Sequence, residues 1–514
     1  MSEPSAAAAP PRELRTLARG GTLNTVGFAI AGLLGFVLTV VVTREVGSSG
    51  AGVFFSAIAV FTILTQVAKL GADTGIVRFV SAYLARGQVR DVAPAIRIAV
   101  VPAALGGLVA AIVAIGLAGP TAAVFARDRT DDVADLLRLL GPYLPFATVS
   151  VVVLAATRAY SMRPFVAIES VGKPALKPAL IVALGVGGLT TGELALGWGL
   201  PEALGCAAAV VALVALVRGT PVPPDAPAPR PIRELASEFW RFAAPRGLAA
   251  AFQVSVFWVD VLLLGRYRPS SEVGAYAAAS RVAMVGTFAL QAIRIAIAPT
   301  ISALLARDER AEAQTVYQTA TWWLIALSWP VFLGLAIFAP FVLSIFGPGF
   351  GIGATSLTIL AIAMLVNLGT GNVTVVLLMG GKSSWNLVNT AVAVTTNVSL
   401  NLLLIPRFGM EGAAVAWAVT IVVENVMALV EVWVFLGMRP FGPGYLPVTT
   451  AALVCVGGVA LVARALFGPD GAGFVVAVVV AVPLYGAVLW RLRERLHLDL
   501  FLAALRRSGG GDDG

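Results

Sequence analysis

Three polar residues, Arg246, Gln253 and Asp260, recur at every seventh position through an otherwise apolar run. On a helix that spacing keeps them on one face. The next apolar run carries Arg281, Gln291 and Arg294, and an earlier one carries Lys69. Charge in such surroundings is expensive and usually faces an internal cavity. Arginine suits the task of holding an anion there. Its planar fork pairs bidentately with phosphate or carboxylate oxygens, and it stays charged when buried. Carboxylates form a second set. Glu424 and Glu431 are seven apart on another apolar run, with Glu424 near its middle. Glu424 and Asp260 are candidates for binding a coupling proton or sodium ion. Bland readings stand beside these: inter-helix hydrogen bonding for Glu424, an ion pair between Asp260 and Arg281, and snorkelling of Arg246 and Arg294 to the lipid headgroups.

The elements that must position these residues follow from composition. The 514-residue chain is 58% hydrophobic and 12% charged, about half the charged share of an ordinary soluble domain. Such a chain cannot cover a water-facing surface, and its apolar runs of about 20 residues are each long enough to cross a bilayer as a helix. The expected fold class is an all-α polytopic membrane protein of about fourteen transmembrane helices. They are placed near 22–43, 51–71, 97–118, 137–157, 176–191, 197–217, 243–265, 273–298, 317–339, 353–379, 385–405, 411–436, 446–466 and 472–490. Residues 1–20, polar and rich in Pro and Ala, are expected as a disordered cytoplasmic tail rather than a signal peptide. A Pro-rich stretch, 218–238, reads as a cytoplasmic linker between two six-helix lobes, 21–217 and 239–437. An extra helix pair, 438–495, and a second cytoplasmic tail, 496–514, complete the chain.

With both termini inside, the loop arginines and lysines fall mostly on the cytoplasmic side, as the positive-inside rule requires. The net charge of +8 is then topological, and nucleic acid is not an expected partner. One histidine, His497, and two cysteines, Cys206 and Cys455, within apolar runs leave no basis for a metal site. No cofactor is expected. There is no phosphate-binding GxxxxGK[ST] motif and no soluble domain large enough for catalysis, so the chain is not expected to be an enzyme.

The chain repeats itself weakly. "TREVGSSGAGVFFSAIAV" (43–60) aligns with "GRYRPSSEVGAYAAASRV" (265–282), which sets Arg44 on Arg266, Ser48 on Ser270 and Gly52 on Gly274. "VSVVVLAATR" (149–158) aligns with "VTVVLLMGGK" (373–382). The separation spans an even number of helices, so the halves share one orientation and are expected to be related by a pseudo-twofold along the membrane normal. That is a transporter plan with the site between the halves. In this alignment Arg246 falls on Asn24 and Gln291 on Lys69, so both halves place polar residues at matching positions on their first two helices.

The N-terminal stretch 20–84, with "LGADTGIVRF" at its end, and "NLLLIPRFGMEGAAVAWAVT" (401–420) resemble the polysaccharide-biosynthesis flippases, within the multidrug/oligosaccharidyl-lipid/polysaccharide exporter superfamily. The resemblance covers roughly residues 20–436. It implies a central cavity, alternating access, and transport of a polyprenyl-diphosphate-linked oligosaccharide from the inner to the outer leaflet of the cytoplasmic membrane. Relatives of this kind also carry lipid II or cationic drugs, and a membrane-embedded glycosyltransferase or polymerase is the alternative from another class. The deep charge here is mostly arginine, which favours an anionic headgroup over a cationic drug. Under this resemblance the substrate-binding candidates are Arg281, Arg246, Arg294, Lys69, Asn24, Gln253 and Gln291. Asn367, Asn372, Asn397 and Asn401 suit sugars or helix bridging. The implied partners are the lipid-linked anionic glycan, membrane lipids, a polysaccharide polymerase and glycosyltransferases.

"QVAKLGADTGIVRFV" (66–80) ends the second span. Lys69 and Asp73 are four apart and can pair, and Arg78 follows at the inner mouth. Asp73 and Arg78 are the inner-gate candidates.

Overall fold

The computed structural model describes residues 12–496, apart from 186–187, 225 and 285–286, with the side chains of 12–25, 256, 287–289, 292, 295–296 and 383 not described. Helices come in the order α1 (Arg12–Ala68), α2 (Ala72–Ala85), α3 (Val89–Gly116), α4 (Ala118–Phe125), α5 (Thr130–Leu140), α6 (Leu144–Thr157), α7 (Met162–Phe165), α8 (Lys173–Leu184), α9 (Thr191–Arg218) and α10 (Ile232–Tyr267). They continue as α11 (Ser270–Ala283), α12 (Thr287–Ala306), α13 (Arg310–Ile337), α14 (Ala339–Ser344), α15 (Ala354–Gly369), α16 (Val373–Met379), α17 (Ser383–Leu436), α18 (Tyr445–Ala451), α19 (Val459–Phe467) and α20 (Gly471–Arg491). Nine helical stretches among the described residues are long and apolar enough to cross a membrane, or ten if the bent α10 is included.

Two of the nine are far longer than a bilayer. The apolar part of α1 runs 43 residues and that of α17 runs 53, whereas about 20 residues cross the hydrocarbon core. Each contains a glycine whose backbone is not helical, Gly47 (φ 67°, ψ −177°) in α1 and Gly409 (φ 59°, ψ −134°) in α17. A left-handed φ is open to glycine without a Cβ clash, so each glycine divides its helix into two of ordinary spanning length.

Four expectations change. Residues 12–20 are helical and continue into α1 rather than forming a disordered tail; "RELRTLARG" follows two prolines and is rich in good helix formers. The helix at the expected fifth span begins near Met162, well before the expected 176. It runs through a π-helical turn, Val166–Gly172, into α8. The widened turn precedes Pro174 and Pro178 and relaxes the backbone hydrogen bonding that prolines disrupt. The sixth span begins at Thr191, where Thr190 and Glu193 form a reciprocal capping box, so "TTGE" starts a helix instead of interrupting one. The last part of the expected linker, from Ile232, is the first part of α10. The residues expected as the C-terminal tail, and His497, lie outside the described residues save Leu496.

The packing divides into one shared core and several separate ones. A single cluster joins Phe54 and Ile58 of α1, Leu136 of α5, Leu264 of α10, Tyr276 of α11, Phe350 and Leu357 near α15, and Ile405 of α17. Toward the linker each half packs on itself. Ile76, Phe79, Ala99 and Val152 form one core, and Ile301, Tyr317, Met364 and Val376 form another. The first core also takes Leu235, Phe239 and Ala243, so the start of α10 packs on the N-terminal half. The C-terminal helices lie against α13, through Leu333 with Ala452 and Ala481 and through Phe338 with Ala460 and Ala477.

Candidate functional site

At the linker end, α1 stops at Ala68 and the chain turns through Leu70 (φ 53°) and Gly71 (φ 78°) into α2. A Cβ on Gly71 would collide with the Ala243 carbonyl and the backbone of Gly247, which is how closely α10 crosses this turn. Lys69 Nζ lies 2.7 Å from Asp73 Oδ2. The four-residue spacing therefore does pair them, but across a break between two helices and not along one face. Arg78, one turn further, points its guanidinium at the ring of Phe242 on α10, 4.0 Å from the centroid. Arg246 approaches the same ring at 3.8 Å.

Two cavities meet at Arg78 and Phe242. One, of about 520 Å³, is lined by Asp73, Arg78, Arg158, Phe165 and Glu169 among others. The other, of about 770 Å³, is lined by Arg78, Arg230, Arg233, Glu238 and Arg241 among others. Arg230 is fixed by the buried carboxylate of Asp91, to which its backbone N–H and its Nε each donate at 2.9 Å. These hydrogen bonds push the Arg230 pKa upward. Its Nη1 donates to Glu238 at 3.1 Å.

Behind the first cavity lies a buried ion cluster that the sequence reading overlooked. Glu169, on the π-helical turn, lies 2.7 Å from Lys173 Nζ. Lys173 also reaches Glu202 at 2.7 Å, and Glu202 reaches Lys177 at 2.9 Å. Lys177 further stacks on Trp198, 3.5 Å from the ring centroid. Two lysines and two glutamates balance, as buried charge must. The available signal was the pair Lys173 and Lys177, four apart; Lys177 falls just inside the expected fifth span and Lys173 just before it.

A second candidate cation, Arg281, stands on α11. It rests on aromatic rings, 4.3 Å from Trp258 and 5.5 Å from Phe257. Asp260 makes no ion pair with Arg281 among the described residues. Its Oδ2 accepts from the Tyr276 hydroxyl at 2.6 Å and its Oδ1 from the Val261 N–H at 2.9 Å. Trp258, Asp260, Tyr276, Arg281 and Trp417 line one cleft of about 20 Å³, room for about one water. The chemistry on offer is an arginine held by ring faces next to a carboxylate already satisfied by neutral donors.

The remaining candidates are scattered. Gln253, Arg246 and Arg294 are exposed, and Gln291 and Glu424 are partly buried. Glu424 has no hydrogen-bond or ion-pair partner among the described residues. The side chain of Asn24 lies outside the described residues. Among the asparagines, Asn425 donates to Asn367 at 3.1 Å and Asn401 to Asn397 at 3.0 Å. Asn389 donates to Glu431 at 2.7 Å, which makes Glu431 a packing residue.

Opposite the linker the halves are sealed together. A Cβ on Gly52 would strike the Ser270 carbonyl, and one on Gly274 would strike the Ser48 carbonyl. Arg44 Nε donates to the Ile345 carbonyl at 2.8 Å, and Arg266 Nη1 to the Val124 carbonyl at 3.4 Å. Asp128 accepts from the Ser270 N–H at 2.8 Å and from its hydroxyl at 2.6 Å, capping α11 from the other half.

Comparison with known proteins gives a consistent set of likenesses. The sequence profile of the polysaccharide biosynthesis proteins matches residues 17–305, more than half the chain, and the MatE profile matches residues 245–403. A probable low-salt glycan biosynthesis flippase of Haloferax volcanii is 32% identical over 174 residues, 33% of this chain and 36% of that protein. A probable flippase of the same organism, AglR, is 26% identical over 204 residues, 39% of this chain and 42% of that one. The matched region thus spans under half the length of these curated relatives. Among solved structures, the lipid II flippase MurJ in an inward closed conformation superimposes with a TM-score of 0.71 at 13% identity, covering 92% of this chain and 99% of that one. An inward-facing multidrug transporter of the MATE family gives 0.58 at 14% identity, covering 81% and 98%. At such identities the likeness is one of fold.

Proposed function

Given that this chain belongs to the polysaccharide biosynthesis protein family, we propose that it is a flippase. Its substrate is a polyprenyl-diphosphate-linked oligosaccharide, moved from the inner to the outer leaflet of the cytoplasmic membrane by alternating access. The observation that carries this reading is Arg281, a cation on α11 at the place of the expected eighth span, held by aromatic faces with no carboxylate in ion-pair contact among the described residues. A diphosphate of about two negative charges crossing a core roughly 30 Å thick needs such a partner in place of its lost water. Asp73 and Arg78 act at the inner gate. Arg246, Arg294, Lys69, Asn24, Gln253 and Gln291 complete the polar path, and Glu424 or Asp260 couples the cycle to an ion.

In this reading the chain crosses the membrane fourteen times, with both termini and the linker in the cytoplasm. The breaks at Gly47 and Gly409 and the bent α10 support that count. The reciprocal seal at Gly52 and Gly274 supports two six-helix lobes related by a pseudo-twofold. A polymerase and glycosyltransferases are the expected functional neighbours.

The test is reconstitution. Proteoliposomes containing the wild-type chain should flip a fluorescent lipid-linked oligosaccharide, and Arg281→Ala should abolish flipping while insertion and folding persist. Full transport by Arg281→Ala would remove that residue from the path. Transport of lipid II at an equal rate would widen the substrate class to polyprenyl-diphosphate glycans in general.

A further inference from the structure

α10 is 36 residues long, about 54 Å at 1.5 Å per residue, whereas the hydrocarbon core takes about 20 residues. Counted back from Tyr267, about 20 residues cross the core, which leaves the segment before about residue 247 outside it, on the linker side. On that segment Arg233, Ser237 and Arg241 recur at intervals of four and form one stripe. Leu235, Phe239 and Ala243 are buried and anchor the segment to the N-terminal half. The stripe therefore sits on a fixed element and forms one wall of the 770 Å³ groove.

The charges of this groove do not cancel. Glu238 is paired with Arg230, as is Asp91. In the adjoining cavity Asp73 is paired with Lys69 and Glu169 with Lys173. Arg78, Arg158, Arg233 and Arg241 have no ionic partner among the described residues, and Glu234 is the one unpaired acid facing them. Arg230, pinned by Asp91, also has a buried Nη2 with no acceptor. A fixed groove with surplus guanidinium groups outside the core fits a multivalent phosphate ester.

We propose that this groove captures the diphosphate of the polyprenyl-linked substrate at the membrane surface, before its headgroup passes Arg78 and Phe242 into the molecule. The inference rests on the flippase reading and adds a first binding site outside the membrane core. The phosphate esters of bulk phospholipid present related chemistry, and the test separates the two sources.

The probes are a polyprenyl diphosphate and phosphatidylglycerol, each offered to the full chain in nanodiscs of neutral lipid. Arg233→Gln/Arg241→Gln changes two exposed side chains and should leave the fold intact. The expected result is at least a fivefold loss of polyprenyl diphosphate affinity in the double variant, recovered in large part by Arg233→Lys/Arg241→Lys, with no displacement by an excess of phosphatidylglycerol. Unchanged affinity in the double variant overturns the proposal. So does displacement by phosphatidylglycerol at comparable concentration, which would make the groove a bulk-lipid anchor. Transport distinguishes this from failure of the functional reading: a wild-type chain that binds through the stripe but flips nothing supports the groove and sinks the flippase reading.

Discussion

Arg44 and Arg266 make the same contact in opposite directions. Each leaves its own half of the chain and donates to a backbone carbonyl of the other, Arg44 to Ile345 and Arg266 to Val124. The weak repeat in the sequence sets these two arginines on each other. The glycines that follow them behave likewise, with Gly52 against Ser270 and Gly274 against Ser48. Exchange of partners between equivalent positions is what the proposed pseudo-twofold would produce.

This seal should not tolerate a larger side chain. Gly274→Leu would drive a branched side chain into the Ser48 carbonyl and the Gly52 amide, and overpacking of this kind costs about 1–3 kcal/mol. The expected outcome is a lower melting temperature in detergent together with greater labelling of a cysteine placed at Trp258 by a membrane-impermeant reagent. A variant as stable and as closed as the wild type would mean that the two backbones separate more easily than their contact implies.

The ion cluster behind the π-helical turn should be fragile in one specific way. Glu202→Gln leaves Lys173 with Glu169 alone and Lys177 with no carboxylate, and removing one partner of a buried pair costs about 3–5 kcal/mol. Thermal unfolding of purified protein should show a large loss. Adding Lys177→Met should recover part of it. If the double variant is no better than the single, the loss does not come from unpaired charge on Lys177.

Asp260 depends on Tyr276. Tyr276→Phe deletes the hydroxyl that donates to Oδ2 and leaves a buried carboxylate with the Val261 N–H, a change of about 1–3 kcal/mol. Arg281 is the nearby group able to respond. Tyr276→Phe should therefore slow transport by drawing Arg281 off Trp258 toward Asp260, and Tyr276→Phe/Asp260→Asn should restore it. Failure of the second substitution to help would separate Asp260 from the action of Arg281.

Glu424 has no partner among the described residues, unlike Glu431, which Asn389 holds. If Glu424 binds the coupling ion, Glu424→Gln should flip substrate at a rate indifferent to an imposed sodium or proton gradient, whereas the wild type responds. A mutant that still follows the gradient excludes Glu424. A wild type that ignores both gradients excludes coupling altogether.

The helical elements were largely legible because hydropathy reports them directly. The glycine breaks at 47 and 409 coincide with the ends of expected spans. What remained hidden depended on side chains meeting across helices. Arg281 could be identified as a deep cation, but its rings, Phe257 and Trp258 of α10 and Phe55 of α1, come from other helices, and no spacing within α11 reveals them. Asp260 and Arg281 suggested an ion pair by charge alone. The structure gives the carboxylate a tyrosine instead, because Tyr276 is fully buried beside it. Lys173 and Lys177 escaped notice because the expected span started at 176, at the edge of the helix that holds them, and a π-helical turn has no sequence signature as plain as a capping box.

The clasp of Arg230 on Asp91 has a mechanical consequence. It fastens the peptide that joins the halves to the N-terminal half just before α10 begins, and the core around Phe239 fastens the first turns of α10 as well. The C-terminal half is thus suspended from a rod whose near end is clamped to its neighbour. Parting of the halves at the linker end cannot then be a simple separation of two bodies. The rod itself has to flex, and the place where it already bends, by 44° between Ser255 and Phe257, is where a hinge would act.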